Sequence, residues 1–136
     1  QGGADGEHGQ KLKQVDYTFD VLKKTLGDTF KNTLIITLTE FGRTLVQNNG
    51  YGTEHGYGTS ILLGGGLVKK SQVYADWPGI KNKNLFEGRD LNSTLDARSV
   101  YCSAMSVCFD TDFKLLNKEV FPDKKLNDLT EILFKV

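Results

Sequence analysis

Between residues 10 and 26, Leu12, Val15, Phe19, Leu22 and Leu26 recur at steps of three and four in an otherwise polar stretch. That spacing places them in one stripe along a helix, so the pattern predicts an amphipathic helix over 10–26. Gly27 follows the last regular position and predicts its stop. The preceding "QGGADGEHG" is polar and glycine-rich and reads as a loop. The pattern then changes. Leu34 to Leu38 is apolar and β-branched without alternation, which predicts a strand near 33–39 covered on both faces, as in a parallel α/β sheet.

Further along, "SILLGGG" predicts a second strand near 59–64, ending in a glycine turn. "SQVYADWPG" predicts a brief strand stopping before Pro78. "LFEGRDLNSTL" reads as a hairpin with Gly88 in its turn. A second helical stripe predicts a helix over 96–109, with Thr94 or Asp96 capping its start. In the tail, Leu126, Leu129, Ile132 and Leu133 suit a last helical turn or two.

At 136 residues the chain is expected to form one domain, 1–136. With 38% apolar and 25% charged residues it has the composition of a globular protein with a core. Lysine plus arginine balances aspartate plus glutamate at 17 each, which gives no global attraction to nucleic acid or to an anionic membrane. The pairs Lys23-Lys24, Lys69-Lys70 and Lys124-Lys125 are scattered and read as solvated faces. No apolar run reaches the ~20 residues that span a bilayer. The sequence starts at Gln1 and its one methionine is Met105, so it reads as an internal or processed piece. Its two cysteines, Cys102 and Cys108, lie six apart in the second helix. A rise of about 9 Å separates them there, too far for a disulfide, so both are expected to be small buried thiols.

Candidate chemistry concentrates in "TEFGRTLVQNNGYGTEHGYGTS", residues 39–60. Glu40 lies within two residues of the end of the first predicted strand. In open α/β sheets ligands bind beyond the carboxyl ends of strands, so a carboxylate there points into a crevice. His55, one of two histidines, lies in a glycine-rich loop. A carboxylate and an imidazole can be two ligands of a divalent metal or an acid–base pair. Glu54 either orients His55, ligates directly, or is a surface charge. The structural alternatives are a Glu40–Arg43 ion pair and an exposed loop histidine. A catalytic zinc site uses three protein ligands, and the chain contains no tight H-x-x-x-H or C-x-x-C cluster. His8 reads as a solvated loop residue. Trp77 is expected to be packed, and Arg89 to pair with Asp90 or to hold an anion. There is no G-x-S-x-G nucleophile elbow and no Walker loop.

In order, "TEFGRT", "GTEHGYG", "LGGG", "VYADWPG", "LFEGRDL" and a T-x-D-x-R helix start resemble the C-terminal part of a bacterial family. It is the domain-of-unknown-function family fifteen-hundred-and-one, grouped by resemblance with the alkaline phosphatase and sulfatase superfamily. The likeness runs from about residue 1 to Pro122. It implies an α/β fold, part of an alkaline-phosphatase-like sheet with flanking helices, of which this chain is the C-terminal portion. It implies hydrolysis of a phosphate or sulfate ester, a small anionic substrate, with a divalent metal of the zinc or calcium/manganese type. By the same resemblance Glu40 and His55 are metal ligands, Glu54 orients His55 and Arg43 faces the anion. Phe41 stands where the phosphatases usually carry a metal-binding histidine. The family order puts an Asp-x-His segment just before Gln1 and the nucleophile further upstream. The partner of this chain is then the upstream part of the same polypeptide, and the location is periplasmic or otherwise exported.

Overall fold

The strongest period in the sequence folds as a helix. The computed structural model describes residues 2, 3 and 5–136, and helix α1 spans Glu7–Leu26. It starts three residues before the predicted position, which places His8 in its first turn rather than in a loop. Gly27 ends it with φ at 51°, a left-handed backbone that glycine adopts without strain. The 3-10 turn Gly27–Asn32 follows. The apolar stripe is only partly covered: Phe19, Leu22 and Leu26 are half-buried, whereas Leu12 is 55% exposed.

The strands depart from expectation. They are β1 (Ile35–Ile36), β2 (Gly42–Arg43), β3 (His55–Gly56) and β4 (Leu63–Gly64). They form two separate two-stranded antiparallel ribbons, with Ile35 opposite Gly64 and Arg43 opposite His55. The predicted strands 33–39 and 59–64 thus shorten to two residues each, and their pairing is antiparallel instead of parallel. A parallel pair needs a crossover, usually a helix lying on the sheet. Residues 40–58 contain five glycines and pair among themselves instead. Nor is the first strand covered on both faces: Ile35 and Ile36 are half-buried and Leu38 is exposed. The predicted strand through 71–78 does not form either, because its backbone has no neighbouring strand, and Trp77 is 65% exposed rather than packed. The result is a mixed α and β structure.

A 3-10 turn at Asn82–Asn84 and three more α-helices follow: α2 (Ala97–Phe109), α3 (Phe113–Val120) and α4 (Thr130–Leu133). Asp96 is the cap of α2, its carboxylate accepting from the Arg98 N–H at 2.9 Å. Asp112 caps α3 in the same way, accepting from the Leu115 N–H. No helix among the described residues is long and apolar enough to cross a membrane.

Contacts divide the chain into two compact units, each assembled from three stretches. The first holds the chain up to Asp28 with Thr37–Ile61 and Trp77–Ser93. The second holds Thr29–Ile36, Leu62–Asp76 and Thr94–Val136. The second unit has a core centred on Cys102, Phe113 and Leu126, against which Leu116 and Phe121 pack. Burial pushes the Cys102 thiol above its ordinary pKa, so it stays protonated. Cys108 is exposed, contrary to expectation. Six residues turn a helix through about 600°, so the two thiols face different directions.

Two buried serines tie the irregular tail to this core. The Ser103 hydroxyl donates to the Ser99 carbonyl at 2.8 Å and accepts from the Leu129 N–H at 2.9 Å. The Ser99 hydroxyl accepts from the Asn127 N–H at 3.1 Å. The Asn117 amide donates to the Phe121 and Lys124 carbonyls, and its oxygen accepts from the Leu126 N–H. Side chains thereby satisfy a main chain that has no ladder of its own. Ser103→Ala strands the buried Leu129 N–H, and should lower stability to urea by about 1–3 kcal/mol. Lys118→Ala, on the surface, should change it by less than about 0.5 kcal/mol. Equal effects of the two substitutions would show that the serine does not hold the tail.

Candidate functional site

Residues 39–60 lie in the first unit, and their geometry starts with glycine. Gly42 and Gly56 are directly opposite in the β2–β3 ribbon. A Cβ on Gly42 would lie 2.3 Å from the Tyr57 carbonyl carbon, and one on Gly56 would lie 2.5 Å from the Arg43 carbonyl carbon. Only residues without a side chain let these main chains meet so closely. A third stretch joins them. The Gly58 N–H donates to the Leu91 carbonyl at 2.7 Å, and the Leu91 N–H donates to the Arg43 carbonyl at 3.2 Å. This third stretch leaves the expected turn at 86–90, where Phe86 and Asp90 form an antiparallel bridge around Gly88.

Side chains two apart on an extended strand share a face, and residues directly opposite across a ribbon do too. Arg43 and His55 are such a pair. Phe41, two residues before Arg43, stacks its ring on the His55 imidazole with centroids 4.1 Å apart and planes 11° apart. A guanidinium, an imidazole and a covering aromatic ring therefore gather on one face. His55 is exposed apart from the ring face that Phe41 covers. Tyr57 stacks in turn on Phe86 at 4.1 Å.

Glu40 sits at a bend next to Phe41, and its carboxylate is exposed with no hydrogen bond or ion pair among the described residues. The structure thus brings Phe41, rather than Glu40, into contact with His55. Arg43 and Glu40 form no ion pair among the described residues. Glu54 is bonded to Asn48, whose side-chain amide donates to its carboxylate. The Asn48 oxygen also accepts from the Gly50 and Gly52 N–H groups at 3.0 and 3.1 Å. The Glu54 N–H donates to the Thr44 hydroxyl at 3.1 Å. Asn48 organises the loop that leads into His55, and it is not among the residues that the sequence pattern singles out. The signal lies in "QNNGYG", since an asparagine side chain commonly bonds the backbone N–H two residues on, here that of Gly50. His8 is exposed on α1.

Arg89 and Asp90 pair as one of the sequence readings expects. The Arg89 Nε donates to Asp90 Oδ1 at 2.6 Å and Nη2 donates to Oδ2 at 3.1 Å. Asp90 is only 3% exposed. The Arg89 hydrogen bonds hold its carboxyl below the usual carboxylate pKa, aided by the Tyr57 main chain, although burial acts the other way. This pair fastens the 86–91 turn.

No group of three or more His, Cys, Asp or Glu residues that could hold a metal occurs among the described residues. Glu40 and His55 offer oxygen and nitrogen donors suited to a divalent ion, but two donors fall short of the three a catalytic zinc site uses. Among the described residues, therefore, these donors do not by themselves fit a complete metal centre. A family model described as "Protein of unknown function (DUF1501)" matches residues 2–109. That span covers α1, both ribbons, the 86–90 turn and α2 to its last residue. No curated protein and no solved structure matches the chain.

The depressed Asp90 pKa fixes the sign of one pH effect. Its ionised form is favoured by folding, so its stabilising contribution is present above the unfolded pKa of about 4 and is lost as pH falls through the lower folded value. Asp90→Asn should be less stable than the parent at pH 7 and should lose less stability between pH 5 and pH 3. Urea titrations at both pH values read this directly, and parallel acid profiles would remove Asp90 from the account.

Proposed function

The chain belongs to the DUF1501 family, and on that footing we propose that it is the C-terminal portion of an alkaline-phosphatase/sulfatase-like hydrolase of phosphate or sulfate esters. In this reading residues 1–136 form part of one larger domain, and the protein works in the periplasm or is otherwise exported. The observation that carries the proposal is the shared face of Arg43 and His55 on the β2–β3 ribbon, with Phe41 stacked on the imidazole.

Each residue then has a task that follows from its position. His55 supplies a ring nitrogen at the exposed edge that Phe41 leaves free. Arg43 presents a planar fork of donors suited to the oxygens of a phosphate or sulfate group. Glu40, unpaired at its bend, supplies a carboxylate oxygen. Glu54, tied to Asn48, positions His55 by fixing the approach to β3. Glu40 and His55 would hold a divalent ion, which would supply charge that polarises the ester oxygens. Its remaining ligands would come from the upstream part of the polypeptide, from an Asp-x-His pair within about ten residues of Gln1.

A second reading, a non-catalytic binding or assembly module with a remnant of the site, is favoured by one observation. The Glu54 carboxylate is engaged by Asn48 and one face of His55 is covered by Phe41, contacts that also serve a purely structural loop.

With two histidines in the chain, their ring signals can be assigned by His8→Ala and His55→Ala and followed by NMR during zinc titration. The His55 signals should move with a weak, roughly millimolar midpoint, as expected for an incomplete ligand set, and Glu40→Ala should weaken the response. The chain alone should not turn over aryl phosphates or sulfates. Zinc shifts confined to His8, or tight binding that survives His55→Ala, would sink the assigned site.

A further inference from the structure

Residues 70–76, "KSQVYAD", form an exposed stretch of the second unit that the fold leaves unused. Just before it, Lys69 is anchored: its N–H donates to the Leu133 carbonyl at 2.9 Å and its ammonium to the Glu131 carbonyl. From residue 70 to residue 76 the chain joins no strand or helix, and its main chain makes no hydrogen bond among the described residues. Every residue in it is exposed, Val73 at 92%. Lys70 and Asp76 have no ion-pair partner among the described residues. Valine and tyrosine favour strands, and a run of free N–H and C=O groups is a template for another strand.

The sequence of this stretch complements itself. Paired antiparallel with a second copy about a two-fold axis through Val73, Lys70 of each copy lies opposite Asp76 of the other. Ser71 then faces Ala75, Gln72 faces Tyr74, and Val73 faces Val73. Parallel pairing in register sets Lys70 on Lys70 and Asp76 on Asp76, which is unfavourable. Centring the antiparallel pair on Gln72 sets Lys70 against Tyr74 and loses both ion pairs. Centring it on Tyr74 sets Lys70 against Pro78, which has no N–H to donate. One register alone both pairs the charges and leaves every backbone donor available.

We propose that residues 70–76 are the strand through which two copies of this chain associate, antiparallel about Val73, with two symmetric Lys70–Asp76 ion pairs. The contact is isologous, as two-fold dimers require. A single short strand pair falls at or below the low end of specific interface sizes, about 1,200 Å², so the dimer is weak, forming at tens of micromolar or above.

Sedimentation equilibrium of the 136-residue chain over a concentration series tests this. The parent should dimerise reversibly. Lys70→Glu alone, or Asp76→Lys alone, places like charges opposite each other and should raise the dissociation constant roughly tenfold. The two together should restore it to within about threefold. At the two-fold axis the Val73 Cα atoms would be about 4.5–5.5 Å apart, within disulfide range. Val73→Cys in a Cys108→Ser background should therefore crosslink the dimer under mild oxidation. A chain that stays monomeric to about 1 mM, a dimer indifferent to the single charge reversals, a double reversal that fails to restore it, or a dimer that Val73→Cys does not crosslink would each overturn the proposal. So would a monomer whose 70–76 amides are protected from hydrogen exchange, since that stretch would then be covered from within the chain.

Discussion

At Gly42 and Gly56 two strands approach until a side chain on either would run into the opposite main chain. The second unit uses the same device. A Cβ on Gly65 would lie 2.1 Å from the Thr33 carbonyl oxygen, and one on Gly66 would lie 2.4 Å from the Lys31 Cα. Each ribbon is only two residues long, so neither can rest on an extended ladder or on a broad apolar face. What holds each together is main chain placed directly on main chain, extended by bonds such as Gly66 N–H to the Phe30 carbonyl and Gly58 N–H to the Leu91 carbonyl. The position of His55 against Arg43 depends on this closeness.

The same constraint explains which parts of the structure were legible in the sequence. Helices α1 and α2 were, because side-chain period and caps are local: Gly27 stops one and Asp96 starts the other. Strand pairing was not, because it is written in the absence of side chains at Gly42, Gly56, Gly65 and Gly66, and glycine carries no information about which distant main chain it will meet. Helix α3 escaped notice because at eight residues it shows barely two turns of pattern. The tail around 121–129 escaped because its order comes from Ser99, Ser103 and Asn117, residues that local periodicity treats as neutral.

For the candidate site the balance is similar. Residue type and position single out Glu40, Arg43, Glu54 and His55 as candidates only, and of these the structure pairs Arg43 with His55. The stacking of Phe41 on the imidazole was not readable, since it needs the ribbon register. Glu54 shows how proximity in sequence misleads: it adjoins His55 yet bonds to Asn48, six residues back. Adjacent residues on an extended chain point to opposite sides. The Arg89–Asp90 neighbours meet because they lie in a tight turn, where that alternation is broken, and one of them is buried.

The chain passes between the two units repeatedly, each unit being built of three separate stretches. A chain made from its N-terminus cannot close the first unit until Ser93 has emerged, although α1 is available from Leu26 onward. The second unit waits longer still, since β1 is made early while α2, α3 and α4 all come last. Order of synthesis and order of assembly are therefore decoupled, and the half-exposed apolar stripe of α1 is present throughout that interval. A nick in the 70–76 stretch would release neither unit, because both have pieces on each side of it.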